Sequence, residues 1–419
     1  MADPRSELLT ALHSGLRAVY QPIVELDGGA VVAYEALARG PVGSSLEAPL
    51  TLFAAAREQG LTAELDLACR TTAIRGALAA GLDNAGVLFV NAEPEALTAQ
   101  SAAVGAELTR ASQLQVFVEI TERALTVHPA SLLEAVERLR AAGFGIALDD
   151  VGADRRSLAL LPLLRPDLVK LDISLIHNHP SRMSGEVMNG VCAYAESTGA
   201  VILAEGIEEE SHIVAATSLG ATLAQGWYFG RPGPLPARAS IERRAGTLGL
   251  PPRVVVKSPV ELVRGRRQFR IGRKDVLLSV SQALEAQALE LGDHAVVVAA
   301  FQDARHFTPA THARYHRLAS RVAFVAALGE GVREEPAPGV RGARLEPGDP
   351  LCGEWSIAVL GPHYAGALVA RDLGDSGPDR ERRFEFALTF DRELVVDVAA
   401  ALISRVTSGR ECAPLALAA

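Results

Sequence analysis

The sequence predicts a closed α/β barrel of the TIM type, followed by a second, smaller α/β domain. Over residues 1–236, short apolar runs alternate with segments of helical character, a pattern typical of strand–helix units around a parallel sheet. A carboxylate or amide side chain follows each apolar run. Residues 231–238 contain three prolines, which exclude a helix or central strand and therefore mark the end of a domain.

Seven apolar runs are predicted as strands of the first domain, at residues 31–34, 87–90, 116–118, 146–148, 168–171, 201–204 and 221–224. The polar residues that follow them are Glu35, Asn91, Glu119, Asp149 with Asp150, Asp172, Glu205 and Gln225. One such residue is ordinarily a helix cap or a turn former. Seven in succession predict side chains that converge on the carboxyl-terminal face of a barrel, where TIM-barrel enzymes have their active sites.

The charge of the chain is unevenly distributed. The formal net charge is −9 over 419 residues. Residues 1–236 hold 28 acidic and 16 basic residues, a balance of −12, whereas residues 237–419 hold 22 and 25, a balance of +3. This acidity argues against a general nucleic-acid-binding protein, because affinity for a polyphosphate comes largely from basic side chains.

Other compositional features predict a soluble, cytoplasmic protein with no membrane partner. No run approaches the roughly 20 apolar residues that a membrane helix needs, and the N-terminus has no basic start followed by an apolar stretch. The four cysteines are widely separated, so neither a zinc site nor a disulfide framework is indicated. Since 49% of the residues are hydrophobic, the chain can form packed cores in two or three domains.

The predicted ring of carboxylates requires cations. Acidic groups gathered in one pocket repel each other and raise each other's pKa, and bound metal is the simplest remedy. A set of Glu, Asp and Asn oxygens without His or Cys suits Mg²⁺ or Mn²⁺. The adjacent acids Asp149 and Asp150 could let two metals share a ligand, as in sites that activate water against a phosphodiester.

Lys170 is a second indication of chemistry. The chain has 38 arginines and three lysines, and Lys170 is the only lysine in residues 1–236. Lys170 and Asp172 are two residues apart on a predicted strand and so share a face, towards which Asp149 projects from the preceding strand. A lysine ammonium can orient or deprotonate a water. The alternative is a strand-end salt bridge with Asp172 or Asp167.

These residues resemble the EAL family of cyclic-di-GMP phosphodiesterases over nearly all of residues 10–236. The name-giving tripeptide is Glu35-Ala36-Leu37. Other blocks typical of the family are Tyr20-Gln-Pro-Ile-Val24, Phe89-Val-Asn91, Glu119-Ile-Thr-Glu122, Ala147-Leu-Asp-Asp150, Val169-Lys-Leu-Asp172, Ala204-Glu-Gly-Ile-Glu208 and Gln225-Gly-Trp-Tyr-Phe229. A single tripeptide is weak support, whereas this ordered series at strand ends is specific.

The resemblance implies a (β/α)8-type barrel that hydrolyses cyclic-di-GMP to linear 5′-pGpG with two Mg²⁺ or Mn²⁺ ions, as a homodimer through the barrel domain. It implies roles for four groups of residues. Metal ligands would be Glu35, Asn91, Glu119, Asp149 and Asp150, and the catalytic residues near the second metal and its water would be Lys170, Asp172 and Glu205. Substrate contacts would be Gln21, Leu37, Arg39 and Gln225, and loop anchors would be Glu122 and Glu208.

The loop at residues 151–158 departs from the family. Val151 stands where the family has Phe, Asp154 replaces a glycine, and Arg155-Arg156 replaces Tyr-Ser. This departure favours the alternative function, a non-hydrolysing cyclic-di-GMP receptor, whereas the retained metal and lysine positions favour catalysis. One hypothesis is that Arg155 or Arg156 pairs with Glu122 or Glu208 to hold the loop by charge.

The second domain is predicted over residues 254–406, after an EAL domain at 1–238 and a linker at 239–253, and before a flexible tail at 407–419. Buried strands are predicted at residues 295–300 and 355–360, and helices at 277–291 and 394–406. Blocks such as Phe307-Thr-Pro-Ala-Thr311 and Val359-Leu-Gly-Pro-His-Tyr364 resemble the DICT sensory domain. The resemblance implies a small ligand or a protein partner for this domain.

Two features of the second domain are expected to have no direct chemical role. The histidines are expected to be scattered surface or core residues rather than ligands; they are His306, His312, His316 and His363. A basic cluster spans residues 264–274. It is expected to be a solvated face or a face towards the acidic barrel, with a nucleic-acid patch as the alternative.

Overall fold

The structure is a computed structural model that describes residues 4–82, 86–93, 96–97, 114–121, 129–154, 156–178, 181–236, 257–376 and 378–406. It divides into two compact units, which are considered one at a time. The predicted linker (239–253) and tail (407–419) lie outside the described residues, so the proposed domain limits stay predictions. Within the described residues, no helix is long and apolar enough to cross a membrane.

The described elements up to residue 236 are, in chain order, α1 (Pro4–Thr10), β1 (Arg17–Glu25), β2 (Val31–Arg39), α2 (Pro49–Glu58), α3 (Thr62–Ala79), β3 (Val87–Asn91), β4 (Gln115–Ile120), α4 (Pro129–Ala141), β5 (Gly145–Val151), α5 (Ser157–Leu164), β6 (Leu168–Leu171), α6 (Ile173–His177), α7 (Arg182–Thr198), β7 (Val201–Ala204), α8 (Glu210–Ser218) and β8 (Leu223–Gln225). The eight strands close into a barrel in the order β1 to β8. The predicted TIM-type barrel is thereby confirmed.

One strand departs from the expected uniform parallel arrangement. Strand β1 pairs antiparallel with both β2 and β8, whereas each later strand runs parallel to the next. It is absent from the seven predicted strands because Pro22 lies in its middle, and proline ordinarily argues against a strand inside a sheet. The last predicted strand also starts later than expected, at Leu223 rather than Ala221.

An apolar layer fills the barrel below its carboxyl-terminal face. Its fully buried members are Ile23, Ala33, Phe89, Phe117, Ala147, Leu168 and Leu203. The rings of Phe89 and Phe117 stack with centroids 4.8 Å apart. Gly145 is required beside them, because a Cβ there would lie 2.3 Å from Phe117 Cε1. The barrel interior is therefore a packed floor rather than a channel.

The second unit is built on one mixed sheet. Besides α5 and the first residues of α4, which belong to this unit by their contacts, its helices are α9 (Pro259–Val263), α10 (Lys274–Leu291), α11 (Pro309–Ala319) and α12 (Arg392–Ile403). Its strands are β9 (Arg270–Arg273), β10 (Val296–Asp303), β11 (Phe324–Glu330), β12 (Arg341–Arg344), β13 (Glu354–Leu360), β14 (Ala365–Asp372) and β15 (Arg383–Thr389). The strand order is β12-β11-β10-β13-β14-β15-β9. Strands β10, β11 and β12 are parallel neighbours, and the remaining pairings are antiparallel.

These elements agree with the smaller α/β domain predicted from the sequence. Strands β10 and β13 cover the two predicted strands, and α10 begins three residues before its predicted start. The basic cluster has acidic partners in the same unit, at 2.8 Å for Arg264–Glu385, 3.4 Å for Arg266–Asp397 and 2.7 Å for Arg267–Asp391. These arginines thus link the segment before β9 to β15 and to α12.

Candidate active site

Every strand of the barrel has a polar residue on it or, for β7, directly after it, two positions from a residue of the apolar layer or, for β8, from Leu223, which packs against that layer. Because strand side chains alternate, residues two apart point to the same side, here the barrel interior. Eight polar side chains therefore form a second layer above the apolar floor, hereafter the polar ring. Its members are Gln21, Glu35, Asn91, Glu119, Asp149, Lys170, Glu205 and Gln225.

Lys170 lies at the centre of the polar ring. Its Nζ is 2.7 Å from Glu205 Oε1, 2.8 Å from Glu119 Oε1 and 3.1 Å from Asp149 Oδ1. Glu35 Oε2 lies farther away, at 3.7 Å. Both Lys170 and Glu119 are only 1% exposed. One ammonium thus faces four carboxylates, with Glu119 fully buried and the Glu205 side chain 22% exposed.

Amide side chains hold the remaining wall of the ring. Asn91 Nδ2 donates to Glu35 Oε1 at 2.9 Å, and Gln225 Nε2 donates to Glu35 Oε2 at 2.5 Å. Gln225 Nε2 also lies 3.2 Å from Gln21 Oε1, while Gln21 Nε2 donates to the Gly230 carbonyl at 3.0 Å. These bonds fix the orientation of the Glu35 carboxylate and its amide neighbours.

Asp149 and Asp150 are adjacent but contribute to the same site because the backbone bulges between them. Asp150 adopts a left-handed φ of 56°, and the pairing of β5 with β6 shifts register between Leu148 and Val151. One carboxylate oxygen each of Asp149, Asp150 and Glu205 lie within 4.8 Å of one another. In a regular strand the two aspartates would point to opposite faces.

Burial and the neighbouring carboxylates shift the pKa values of several residues of the polar ring. Burial raises the pKa of Glu119 well above its usual value, and the Glu35 carboxylate raises it further. Burial also raises the pKa of Glu205 to about 8, despite the opposing effect of Lys170. Burial alone would lower the pKa of Lys170, but Asp149, Glu119 and Glu205 outweigh it and raise that pKa.

The donor set of the ring fits a hard divalent cation. Among the described residues, Glu119 Oε2 is buried and has no hydrogen-bond partner. Lys170 supplies one positive charge against four carboxylates, so the ring alone does not balance its charge. The available ligands are carboxylate and amide oxygens, which Mg²⁺ and Mn²⁺ prefer. The cluster of Asp149, Asp150 and Glu205 has the spacing of a shared metal site.

Comparison with known protein families gives two matches. The family model described as EAL domain matches residues 5–232. The chain belongs to the EAL family. A second family model, described as a sensory domain in diguanylate cyclases and two-component systems (DICT), matches residues 261–373. Both matches agree with the resemblances read from the sequence.

Two curated relatives are similar to just over half of the chain. The cyclic di-GMP phosphodiesterase RocR of Pseudomonas aeruginosa is 34% identical over 249 residues, which are 55% of this chain and 60% of RocR. The cyclic di-GMP phosphodiesterase NbdA of the same organism is 32% identical over 243 residues, 55% of this chain and 31% of NbdA. The chain thus spans less than two thirds of either relative.

A solved structure supports the fold. The EAL domain of Xanthomonas citri FimX superposes with a TM-score of 0.50 and 21% sequence identity, covering 57% of this chain and 96% of that one. At this identity the similarity concerns the barrel fold alone.

The structure places some predicted residues of the EAL domain outside the polar ring. Asp172 is not on a strand, since β6 ends at Leu171; it caps α6, and its side chain accepts from Ser174 N at 2.9 Å. Asp172 thus lies one residue beyond the strand on which the sequence places it, and its shared face with Lys170 stays a prediction. Leu37 and Arg39 lie on β2 at alternate positions beyond Glu35, on the same face.

The alternative for Lys170, a salt bridge with Asp172 or Asp167, names the wrong partners. The carboxylates near its Nζ are those of Glu35, Glu119, Asp149 and Glu205. Asp167 instead accepts from Ile146 N at 2.8 Å and pairs with Arg140 at 3.6 Å. The structure does not test the predicted loop anchors, Glu122 and Glu208, or their predicted pairing with Arg155 or Arg156. Glu122 and Arg155 lie outside the described residues, and Glu208 is exposed. Their roles stay predictions.

One residue near the polar ring belongs to none of the motifs found in the sequence. His177 Nε2, at the end of α6, lies 2.6 Å from the Gly206 carbonyl, directly after Glu205. Its ring stacks on His212 with centroids 4.1 Å apart, and His212 Nδ1 accepts from Glu208 N at 3.2 Å. This pair supports the loop that carries Glu205. This role of His177 and His212 can be seen only in the structure, where the segments after β6 and β7 come together.

Proposed function

We propose that the EAL domain hydrolyses cyclic di-GMP to linear 5′-pGpG with two divalent metal ions, Mg²⁺ or Mn²⁺. The observation that carries this proposal is the polar ring, in which Lys170 lies among four carboxylates above an apolar floor. The names of RocR and NbdA support the choice of substrate, since both are cyclic di-GMP phosphodiesterases.

The metals would be held by the carboxylates and the amide of the ring. The first site would use Glu35, Asn91, Glu119 and Asp149, and the second would use Asp149 and Asp150, with Glu205 close by. Bound divalent ions lower the pKa of a coordinated water and stabilise the charge that develops on a phosphodiester. The bulge at Asp150 supports the assignment, because it brings two successive carboxylates to one side of β5.

The remaining ring residues would bind and orient the substrate and the attacking water. Lys170 would hold the water at its ammonium group, with Asp172 and Glu205 near that side of the site. Gln21, Leu37, Arg39 and Gln225 would contact the substrate, with Arg39 at a phosphate. The water oxygen would bond to phosphorus as the bond to the 3′ oxygen breaks, which leaves a 5′ phosphate and a protonated 3′ hydroxyl.

The test is an incubation of the full chain with cyclic di-GMP and Mg²⁺ or Mn²⁺, with pGpG separated by chromatography. Turnover is expected, and Glu35→Gln and Lys170→Met should each reduce kcat by about 100-fold or more. The matched controls are Glu58→Gln and Lys257→Met, which remove the same charges from exposed positions. Activity that survives in either ring variant would contradict the assigned roles.

A second candidate function is a receptor that binds cyclic di-GMP without hydrolysing it. The altered loop at residues 151–158, with Val151, Asp154 and Arg156 in place of the family's residues, favours this candidate. Calorimetry separates the two functions, because a receptor would bind cyclic di-GMP in the presence of Mn²⁺ while no pGpG forms.

We also propose that the chain forms a homodimer through the EAL domain in the cytoplasm, and that the second domain regulates hydrolysis. Sedimentation of the full chain tests the dimer. A monomer at the concentrations used for turnover would overturn it.

A further inference from the structure

A cavity of about 350 Å³ lies in the second unit, well away in sequence from the polar ring. Its lining residues come from the segments that directly follow β10 and β11, which end at Asp303 and Glu330. These strands are parallel neighbours. The crevice outside the carboxyl ends of parallel strands is the usual ligand site of an open α/β sheet. Its volume falls in the lower part of the about 300–1,000 Å³ range of small-molecule sites.

The lining of this cavity combines apolar walls with basic groups. Phe307, Pro309, Val332 and Pro336 supply the apolar surface, and His312 and Arg333 are the basic side chains. Among the described residues, no acidic side chain lines the cavity. Glu335, near Arg333 in sequence, is engaged elsewhere, since its Oε1 accepts from Gly339 N at 2.9 Å. The lining therefore favours an anionic ligand with an apolar body.

The aromatic wall is held rigidly. The Phe307 ring packs edge-on against Phe301 and Tyr315, with centroids 5.3 Å and 5.6 Å away. Helix α11 begins just beyond it, and the Thr308 side chain accepts from Thr311 N. A ring fixed in this way offers a flat surface at little cost in conformational entropy when a planar ligand packs on it.

Backbone strain marks the same place. Gln302, the penultimate residue of β10, has a left-handed φ of 64° although it is not glycine. The pairing of β10 with β11 shifts register between Ala300 and Asp303. Strain of this kind persists where the surrounding structure enforces it, and it clusters at ligand sites. The bulge redirects the chain into the short turn at Ala304–His306 that presents Phe307.

We infer that this cavity binds a small anion with a flat, apolar body, the chemistry of an aromatic carboxylate. The ring system packs between Phe307 and the prolines, and the carboxylate faces Arg333 and His312. The inference concerns the second unit alone and does not depend on the function proposed for the EAL domain.

The test uses 2-naphthoate as the probe and the full chain, with binding followed by calorimetry. Saturable binding at one site is expected, and the neutral isostere 2-naphthamide should bind about tenfold more weakly because it lacks a charge-assisted contact. Arg333→Gln should remove that preference. Arg321→Gln is the matched control, because it removes an exposed arginine that does not line the cavity. Ala304→Leu, which narrows the cavity from one wall, should weaken the binding of both probes.

Each result decides the inference. A preference for naphthoate that is lost in Arg333→Gln and retained in Arg321→Gln supports it. Equal binding of naphthoate and naphthamide overturns the anionic class, and no saturable binding up to millimolar naphthoate overturns the site. Unchanged binding in a folded Ala304→Leu variant, with folding checked by the emission of the buried Trp355, places the probe elsewhere and also overturns it.

Discussion

The two units both place side chains beyond the carboxyl ends of parallel strands, yet they produce opposite environments there. In the EAL domain the sheet closes into a barrel, so eight polar side chains converge above one apolar layer. In the second unit the sheet stays open, and a cavity with apolar walls lies beyond the ends of β10 and β11. Closure of the sheet is therefore what concentrates charge at a single point.

The two units also differ in how their buried carboxylates are hydrogen-bonded. Glu354 of the second unit is buried, but its two oxygens accept from Ser258 Oγ at 2.6 Å and Val260 N at 3.1 Å. Glu119 of the EAL domain is equally buried, and its Oε2 has no hydrogen-bond partner among the described residues. A satisfied buried acid caps a helix and stabilises the fold. An unsatisfied one, among other acids, supports the proposed cation site.

The largest contrast is expected between two lysines. Lys170→Met leaves three buried carboxylates and the partly buried Glu205 without their ammonium, and we expect it to lower the free energy of unfolding by about 3 kcal/mol in the absence of metal. Lys274→Met removes a pair with Asp379 in which the lysine side chain is 11% exposed and the aspartate side chain 62% exposed, and this half-exposed pair should cost about 1 kcal/mol. Urea unfolding followed by circular dichroism measures both. Equal losses would remove the distinction between the two units.

A pair of glutamate variants sharpens the comparison. Glu119→Gln removes one charge from a repelling cluster, so it should stabilise the metal-free protein while it weakens Mn²⁺ binding. Glu354→Gln disrupts a satisfied acid and should destabilise the second unit by about 1–3 kcal/mol without changing Mn²⁺ affinity. Unfolding in EDTA and in Mn²⁺ measures both variants.

The reporter for the second unit is already in the chain. Only two tryptophans are present, and Trp355 is buried whereas Trp227 is 54% exposed. In a Trp227→Phe background, emission therefore follows Trp355 alone.

Stabilisation by Mn²⁺ that survives in Glu119→Gln would show that this residue is not a ligand.

The smallest effect concerns the two strained residues, Asp150 and Gln302, whose φ values are 56° and 64°. Asn tolerates this conformation, so Asp150→Asn should leave stability unchanged while metal affinity falls. Asp150→Val should cost about 1–2 kcal/mol, because a β-branched residue is strained at positive φ. Gln302→Val is the matched variant and should cost a similar amount with no effect on metal binding. Thermal unfolding and Mn²⁺ titration test all three variants.

Much of the candidate site could be predicted from the sequence because strand periodicity is local. Glu35, Asn91 and Glu119 follow or end apolar runs, and a period of two residues fixes which face they share. The isolated Lys170 is visible in the composition, since arginine is otherwise preferred. Asp172 shows the limit of this reasoning: the apolar run does not reveal that β6 ends at Leu171 and that the Asp172 side chain caps α6.

The sequence by itself determined the α/β class, the order of the two domains and the polar residues at the strand ends, because each depends on short-range patterning. Only the tertiary structure decided that β1 closes the barrel antiparallel, that Asp149 and Asp150 share a face, and that Lys170 meets four carboxylates. It also decided that a cavity follows β10 and β11. These features join residues distant in the chain through strand pairing and backbone bulges, which local propensity does not encode.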